Sequence, residues 1–163
     1  MRNILILLLI ISSFSSCKSS KISKKSSSTK TVIKSNSKAE NIIEYANQFK
    51  GVRYKWGGTT KKGMDCSGLV FESFKAYDIF LPRISRDMAK RGNKISLKNV
   101  VKGDLLFFKT GNRRNSINHV GLIVSIKNKN IQFIHATSSK GVITSWLNED
   151  YWHKAFFEAR NIL

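Results

Sequence analysis

The hydrophobic pattern of this chain changes its period near residue 92, and this change constrains the fold more than any other feature. Before that point, apolar residues recur every three or four positions, as they do on amphipathic helices. After it, the apolar residues form short β-branched or aromatic runs that are typical of strands. Helices first and strands afterwards predict an α+β domain in which helices cover one face of an antiparallel sheet.

Three helices are predicted in the first half of the domain. The first begins at Ser37, where Ser37 and Glu40 fit a capping box, and it ends at Gly51. The second begins at Asp65 or Cys66 and carries a dense apolar set that suits a buried helix. A short third helix is predicted from Ser85, acting as its cap, to about residue 91.

The strands are predicted in the second half. Three of them are consecutive and should form an antiparallel meander, because a turn-like segment at 127–130 joins the second to the third. Two more strands lie nearer the C-terminus, with a helical or irregular segment at 146–152 between them. The predicted strands span residues 105–108, 120–126, 131–135, 142–144 and 156–160.

The N-terminus has the layout of a secretory signal, with Arg2, then the apolar run Ile4 to Ile11, then small polar residues. The run is too short for a stable helix across a bilayer. It ends at Phe14-Ser15-Ser16-Cys17, which resembles a bacterial lipoprotein signal and implies cleavage before Cys17 and lipidation of that residue. We therefore divide the chain into a signal peptide (1–16), a lipidated cysteine with a linker (17–36) and one domain (37–163).

The net charge of +19 would ordinarily suggest nucleic-acid binding. Much of the excess, however, lies between Cys17 and Ala39, where there are seven lysines and no acid in a Ser/Lys/Thr tract that cannot form a core. We predict no nucleic-acid partner. The tract is interpreted as a tether near anionic lipid head groups or an anionic envelope polymer, or as a solvated linker without a specific partner.

Cys66 is the candidate nucleophile. The chain has two cysteines, so if Cys17 carries lipid, Cys66 has no intramolecular disulfide partner. Cys66 also lies at the predicted start of a helix, where free amides and the helix dipole lower the pKa of a thiol. A lone thiol in that position suggests reactivity, although an isolated cysteine is often only a small buried residue.

Two of the three histidines fall on adjacent predicted strands. His119 opens one strand and His135 closes the next, so an antiparallel pairing brings both imidazoles to one edge of the sheet. His119 would then activate Cys66, and His135 would fix the tautomer and the direction of the His119 ring. Surface histidines and a zinc site are the alternatives, but no fourth metal ligand is evident. We predict no metal and no cofactor.

Six strings carry a family resemblance, in order and at the expected intervals. From residue 40 onward the chain resembles the NlpC family of papain-like cell-wall cysteine peptidases. The strings are Tyr54–Gly58, Asp65–Val70, Leu81–Arg83, Gly103–Phe108, Asn118–Leu122 and Phe133–Ala136.

The resemblance implies a papain-like α+β core and hydrolysis of amide bonds in peptidoglycan stem peptides. It implies Cys66 as nucleophile, His119 as general base and acid, and His135 as the orienting residue. The Cys66 amide and the Tyr54 side chain would stabilise the oxyanion. Asp65 and Ser67 would help to bind an amino group or polar part of the stem, although Asp65 could equally cap the helix and Tyr54 could fill core space.

The short lipoprotein layout is similar to that of Gram-negative members that cleave the D,D cross-link, which we favour slightly over the bond between D-glutamate and the diamino acid. The location expected by analogy is the outer membrane, facing the periplasm. Two other functions stay open: an amidase or acyltransferase of the same fold, and a non-catalytic, lipid-anchored wall-binding scaffold. The order of Cys66 before His119 favours the peptidase. The presence of all three expected catalytic residues, Cys66, His119 and His135, disfavours a decayed site.

Overall fold

The computed structural model describes residues 38–111 and 115–163. Within them the helices are residues 38–47 (α1), Cys66–Lys75 (α2), Ser85–Met88 (α3) and Asp150–Ala155 (α4). The predicted signal peptide, the lipidation at Cys17, the lysine-rich linker and the cap at Ser37 lie outside the described residues. No helix in the described ranges has the length and apolar character needed to span a bilayer.

The central sheet has six antiparallel strands in the order β3-β8-β4-β5-β6-β7, and β1 and β2 form a separate small hairpin. The predicted meander is confirmed, because β4, β5, β6 and β7 are neighbours in sequence order. The strands are Thr59–Thr60 (β1), Gly63–Met64 (β2), Asn93–Ile95 (β3), Leu105–Phe108 (β4), His119–Lys127 (β5), Asn130–Thr137 (β6), Gly141–Trp146 (β7) and Phe156–Asn161 (β8).

Alternation along β4 divides the core between the two faces of the sheet. Leu105 and Phe107 pack with α1 and α2 in the larger cluster, and Leu106 and Phe108 belong to a second cluster on the opposite face. Trp152 of α4 closes that second cluster. The predicted α+β class with a papain-like core is confirmed, and the structure adds that the face away from α2 is also covered.

One local prediction was wrong, and two local features were not predicted. Ser85 does not cap α3, because the N-cap is Ile84 and Ser85 is the buried first residue of a helix that ends at Met88. Strand β3 was not predicted, since its three residues are too few for a period and pair with the distant C-terminal strand β8. The β1–β2 hairpin was also not predicted, because each of its strands has only two residues.

Candidate active site

Cys66 is the first residue of α2 and is nearly buried, with 9% of its surface exposed. Asp65 is the N-cap, and its Oδ1 accepts a hydrogen bond of 2.6 Å from the Gly68 amide. The predicted capping role of Asp65 is therefore confirmed. Gly68 packs directly on the preceding loop, where an added Cβ would lie 2.1 Å from the carbonyl oxygen of Gly58.

The two histidines meet at the edge of the sheet, as their strand positions predicted. Nε2 of His119 lies 3.0 Å from Nδ1 of His135, and both residues are buried. Nε2 of His135 lies 3.1 Å from Oγ of Ser145 on the next strand, β7. Three adjacent strands therefore contribute one side chain each to a continuous chain of hydrogen bonds.

The thiol lies beside the strand that begins with His119. The backbone N–H of Val120, the next residue, is placed where it stabilises negative charge on the Cys66 sulfur. Cys66 and His119 line one cleft of about 1010 Å³, which is also lined by Tyr54, Asp65 and Ser67, whereas His135 lies behind His119 and does not line it. All the predicted site residues except Cys17, which is outside the described residues, are thus brought together.

One direction of proton donation along the histidine chain leaves a basic nitrogen on His119. If His119 donates from Nε2 to His135, and His135 donates from Nε2 to Ser145, then Nδ1 of His119 keeps its lone pair. The reverse direction would put a proton on Nδ1 and leave no acceptor for a thiol proton. Only the first arrangement leaves Nδ1 of His119 able to accept a proton, so the hydrogen bonds to His135 and Ser145 decide which tautomer His119 adopts.

The lowering of the Cys66 pKa predicted from its helix position is wrong. Burial raises the pKa of the thiol to about 11, although the Val120 amide opposes this effect. Burial also lowers the pKa of His119 to about 4. Burial therefore disfavours the charged form of both groups, the thiolate of Cys66 and the imidazolium of His119.

The buried histidines predict that the fold becomes unstable in acid. Burial lowers the pKa of His119 to about 4 and that of His135 to about 2, from an ordinary value of 6.5. Below pH 6.5 the unfolded chain takes up protons that the folded chain excludes, so each histidine lowers the free energy of unfolding by about 1.4 kcal/mol per pH unit down to pH 4. Chemical denaturation between pH 7 and pH 4.5 measures this slope.

The His119→Gln variant is the control for this prediction. It removes one of the two excluded protons, so its free energy of unfolding should fall less steeply with decreasing pH than that of the wild type. Equal slopes for the two proteins would contradict the assignment of the acid sensitivity to this pair.

Asp65 and Ser67 belong to a network that Arg83 completes. Arg83 donates from Nη2 to Asp65 Oδ2 at 2.9 Å and from Nη1 to Ser67 Oγ at 2.8 Å. The amide of Gly57 also donates to Asp65 Oδ2, at 2.8 Å. The network connects α2, the loop that contains Gly57 and the segment after Pro82. A substrate amine that binds Asp65 would have to share this carboxylate with Arg83.

Tyr54 is half-buried and lines the cleft close to Cys66. Its pKa is raised, first by burial and then by the neighbouring charges of Cys66 and Asp65. The phenol therefore stays protonated at neutral pH and is available as a hydrogen-bond donor. This is the property that an oxyanion-stabilising group needs.

Sequence reasoning missed two residues that support the histidines, Ser145 and Trp152. The Trp152 ring stacks on His119 with centroids 5.1 Å apart and meets the edge of His135 at 4.6 Å. The available signal was a tryptophan in the segment 146–152, between the last two predicted strands. Its position over the histidines depends on how α4 folds back across the sheet, which no local pattern reveals.

These features define a papain-like α+β domain with a cysteine at a helix N-terminus and a histidine pair at the edge of an antiparallel sheet. The profile of the NlpC/P60 family matches residues 51–161, and the chain belongs to this family.

Among its relatives, murein DD-endopeptidase MepS/murein LD-carboxypeptidase of Escherichia coli K12 is 42% identical over 75% of this chain and 62% of its own length. The probable endopeptidase NlpC of the same strain is 44% identical over 69% of this chain and 70% of its own length. The crystal structure of an NlpC/P60 family protein from Bacillus cereus ATCC 10987 matches with a TM-score of 0.70 and 28% identity, over 77% of this chain and 40% of that one.

Proposed function

We propose that this protein is a cysteine endopeptidase that hydrolyses amide bonds in peptidoglycan stem peptides. The observation that carries the proposal is the placement of Cys66 at the start of α2, in one cleft with His119, whose ring is held by His135. The printed names of the relatives, murein DD-endopeptidase and probable endopeptidase, support the substrate and the reaction.

In the proposed mechanism, Nδ1 of His119 takes the proton from Cys66 as the sulfur attacks the scissile carbonyl carbon. The Cys66 amide and the Tyr54 hydroxyl donate to the oxyanion. The tetrahedral intermediate expels the amine, which takes the proton from His119 and leaves a thioester. Water then gives a proton to His119 and attacks the thioester; the Cys66 sulfur leaves, takes that proton from His119, and the acid product is released.

Asp65 and Ser67 are proposed to bind the amino group or another polar part of the stem peptide. Asp65 is held by Arg83 and by the Gly57 amide, and it lines the cleft. A cationic amine at this point would be attracted to the carboxylate and would compete with the Arg83 guanidinium.

The bond that we favour is the D,D cross-link between stems. Purified full-length protein in detergent is incubated with peptidoglycan, and the muropeptides are identified by mass spectrometry beside a Cys66→Ala control. Conversion of cross-linked dimers to intact monomers is expected with the wild type alone.

Other products of this digestion are equally informative. Shortened stems would move the cut to the D-glutamyl bond. No change in any muropeptide would contradict the peptidase and favour the amidase, acyltransferase or scaffold.

We also propose that Cys17 is lipidated and that the protein is held at the outer membrane, facing the periplasm. The support is the sequence Phe14-Ser15-Ser16-Cys17 after an apolar run, followed by the lysine-rich linker. In a Gram-negative host, the wild type should sediment with the outer membrane, and a Cys17→Ala variant should be recovered in the periplasmic fraction. Equal distribution of the two proteins would contradict the anchor.

A further inference from the structure

A second, smaller cavity of about 410 Å³ continues from the cleft beyond Tyr54. Four residues line both the cleft and this cavity, so the two surfaces are continuous: Tyr54, Ser138, Ser139 and Lys140. The remaining lining residues of the smaller cavity are Gly51, Arg53 and Gly141. A substrate bound at Cys66 can therefore extend past the Tyr54 ring into this cavity without leaving the protein surface.

The smaller cavity carries positive charge with no counterion. Arg53 and Lys140 line it, and no carboxylate does. Within residues 38–111 and 115–163, no carboxylate oxygen lies within 4.0 Å of either cation. The two acids of the main cleft are already engaged, since Asp65 is paired with Arg83 and Glu149 accepts a hydrogen bond from the Trp146 amide. The unneutralised cations favour an anion.

The segments that carry the two cations are fixed to each other by their backbones. The Gly51 amide donates to the Val142 carbonyl, and the Val142 amide donates to the Val52 carbonyl, both at 2.9 Å. Gly141 has a φ of +68°, and an added Cβ would lie 2.2 Å from the Val52 carbonyl oxygen. This contact requires glycine. The backbone positions of Arg53 and Lys140 on the two sides of the cavity are therefore set by direct contact between their segments.

We propose that this cavity is a subsite for a free carboxylate of the stem peptide, held between Arg53 and Lys140 with the hydroxyls of Ser138 and Ser139 as further donors. Stem peptides offer such groups on D-glutamate, on the diamino acid and at their C-termini. Two cations and two hydroxyl donors match the acceptor oxygens of one carboxylate. The inference rests on the proposed function, because it assigns a substrate group to an extension of the same cleft.

The test compares two synthetic stem peptides that differ only in a free or an amidated carboxylate. The double variant Arg53→Gln/Lys140→Gln is expected to raise KM for the free acid about tenfold with kcat unchanged, because charge-assisted contacts are lost. KM for the amidated peptide should stay as in the wild type. A control with the same loss of charge is Lys98→Gln/Lys127→Gln, whose exposed residues line neither cavity and should leave both KM values unchanged.

The outcomes separate this subsite from the proposed function. Hydrolysis of both peptides with equal KM changes, or with none, in the double variant would overturn the subsite and leave the peptidase standing. If the wild type hydrolyses neither peptide, calorimetric titration of the free acid and the amide into the Cys66→Ala variant decides the matter, since equal affinities overturn the subsite. Inhibition by inorganic phosphate that the double variant abolishes, without any preference for the free acid, would reassign the cavity to phosphate groups.

Discussion

Replacing Cys66 or His119 with alanine is expected to lower kcat/KM by about 10⁴-fold in each case, and replacing both is expected to lower it no further. The Cys66 variant lacks the nucleophile itself, and for the His119 variant the size follows from the thiol, whose burial raises its pKa to about 11. At pH 7 only about one such thiol in 10⁴ is ionised, so attack without His119 as base depends on that small fraction. Two residues that act in one step lose their effect together, and their losses therefore do not multiply.

Steady-state kinetics on a cross-linked muropeptide measure the two single variants and the double variant. His153→Ala is the matched control, because His153 is an exposed histidine on α4 and does not line the cleft. It should retain the activity of the wild type. A double variant that is slower than each single variant by the full product of their losses would show that Cys66 and His119 act independently, against the proposed mechanism.

Replacing Trp152 with alanine is expected to lower the free energy of unfolding by about 3–5 kcal/mol. Only 7% of Trp152 is exposed, and its ring packs on Phe108 and Phe133 as well as on the two histidines. The variant would leave a cavity beside His119, in the wall of the cleft. For a small domain this is a large fraction of the total stability.

The gentler Trp152→Phe variant tests the positioning role with the fold retained. We expect kcat to fall more than KM rises, because the ring packs directly on His119 and His135. Trp56→Ala is the control for stability, since Trp56 is 86% exposed and its loss should change the free energy of unfolding by less than about 0.5 kcal/mol. Equal denaturation midpoints for Trp152→Ala and the wild type would contradict the prediction.

The parts of the site that lie at element ends could be predicted from the sequence. Asp65 before an apolar helical run predicts a cap and places Cys66 at the helix start. His119 and His135 lie at opposite ends of consecutive strands, and antiparallel pairing alone brings them together. These predictions needed only local periodicity and one rule of strand geometry, so they did not depend on tertiary packing.

The parts that depend on burial and on distant contacts could not be predicted. The helix position of Cys66 indicated a low thiol pKa, but the degree of burial, which has the larger effect, is decided by packing against β5. Nothing in the sequence distinguishes Ser145 from the other serines. It reaches His135 only because β7 pairs with β6. Strand β3 forms because it pairs with β8 near the C-terminus. A short window of sequence cannot reveal a pairing between such distant segments.

The close contact between Gly68 and the Gly58 carbonyl determines which residues of this cleft can be substituted and which cannot. The position of the Cys66 sulfur is set by contact between the backbones of α2 and the preceding loop. Replacing side chains on the cleft wall, such as Trp56, Ile84 or Arg86, therefore leaves the sulfur in place. Substitutions in the cleft wall can then change the substrate preference without changing the catalytic chemistry. A side chain at position 68, by contrast, would displace α2 and the thiol together, whatever the substrate.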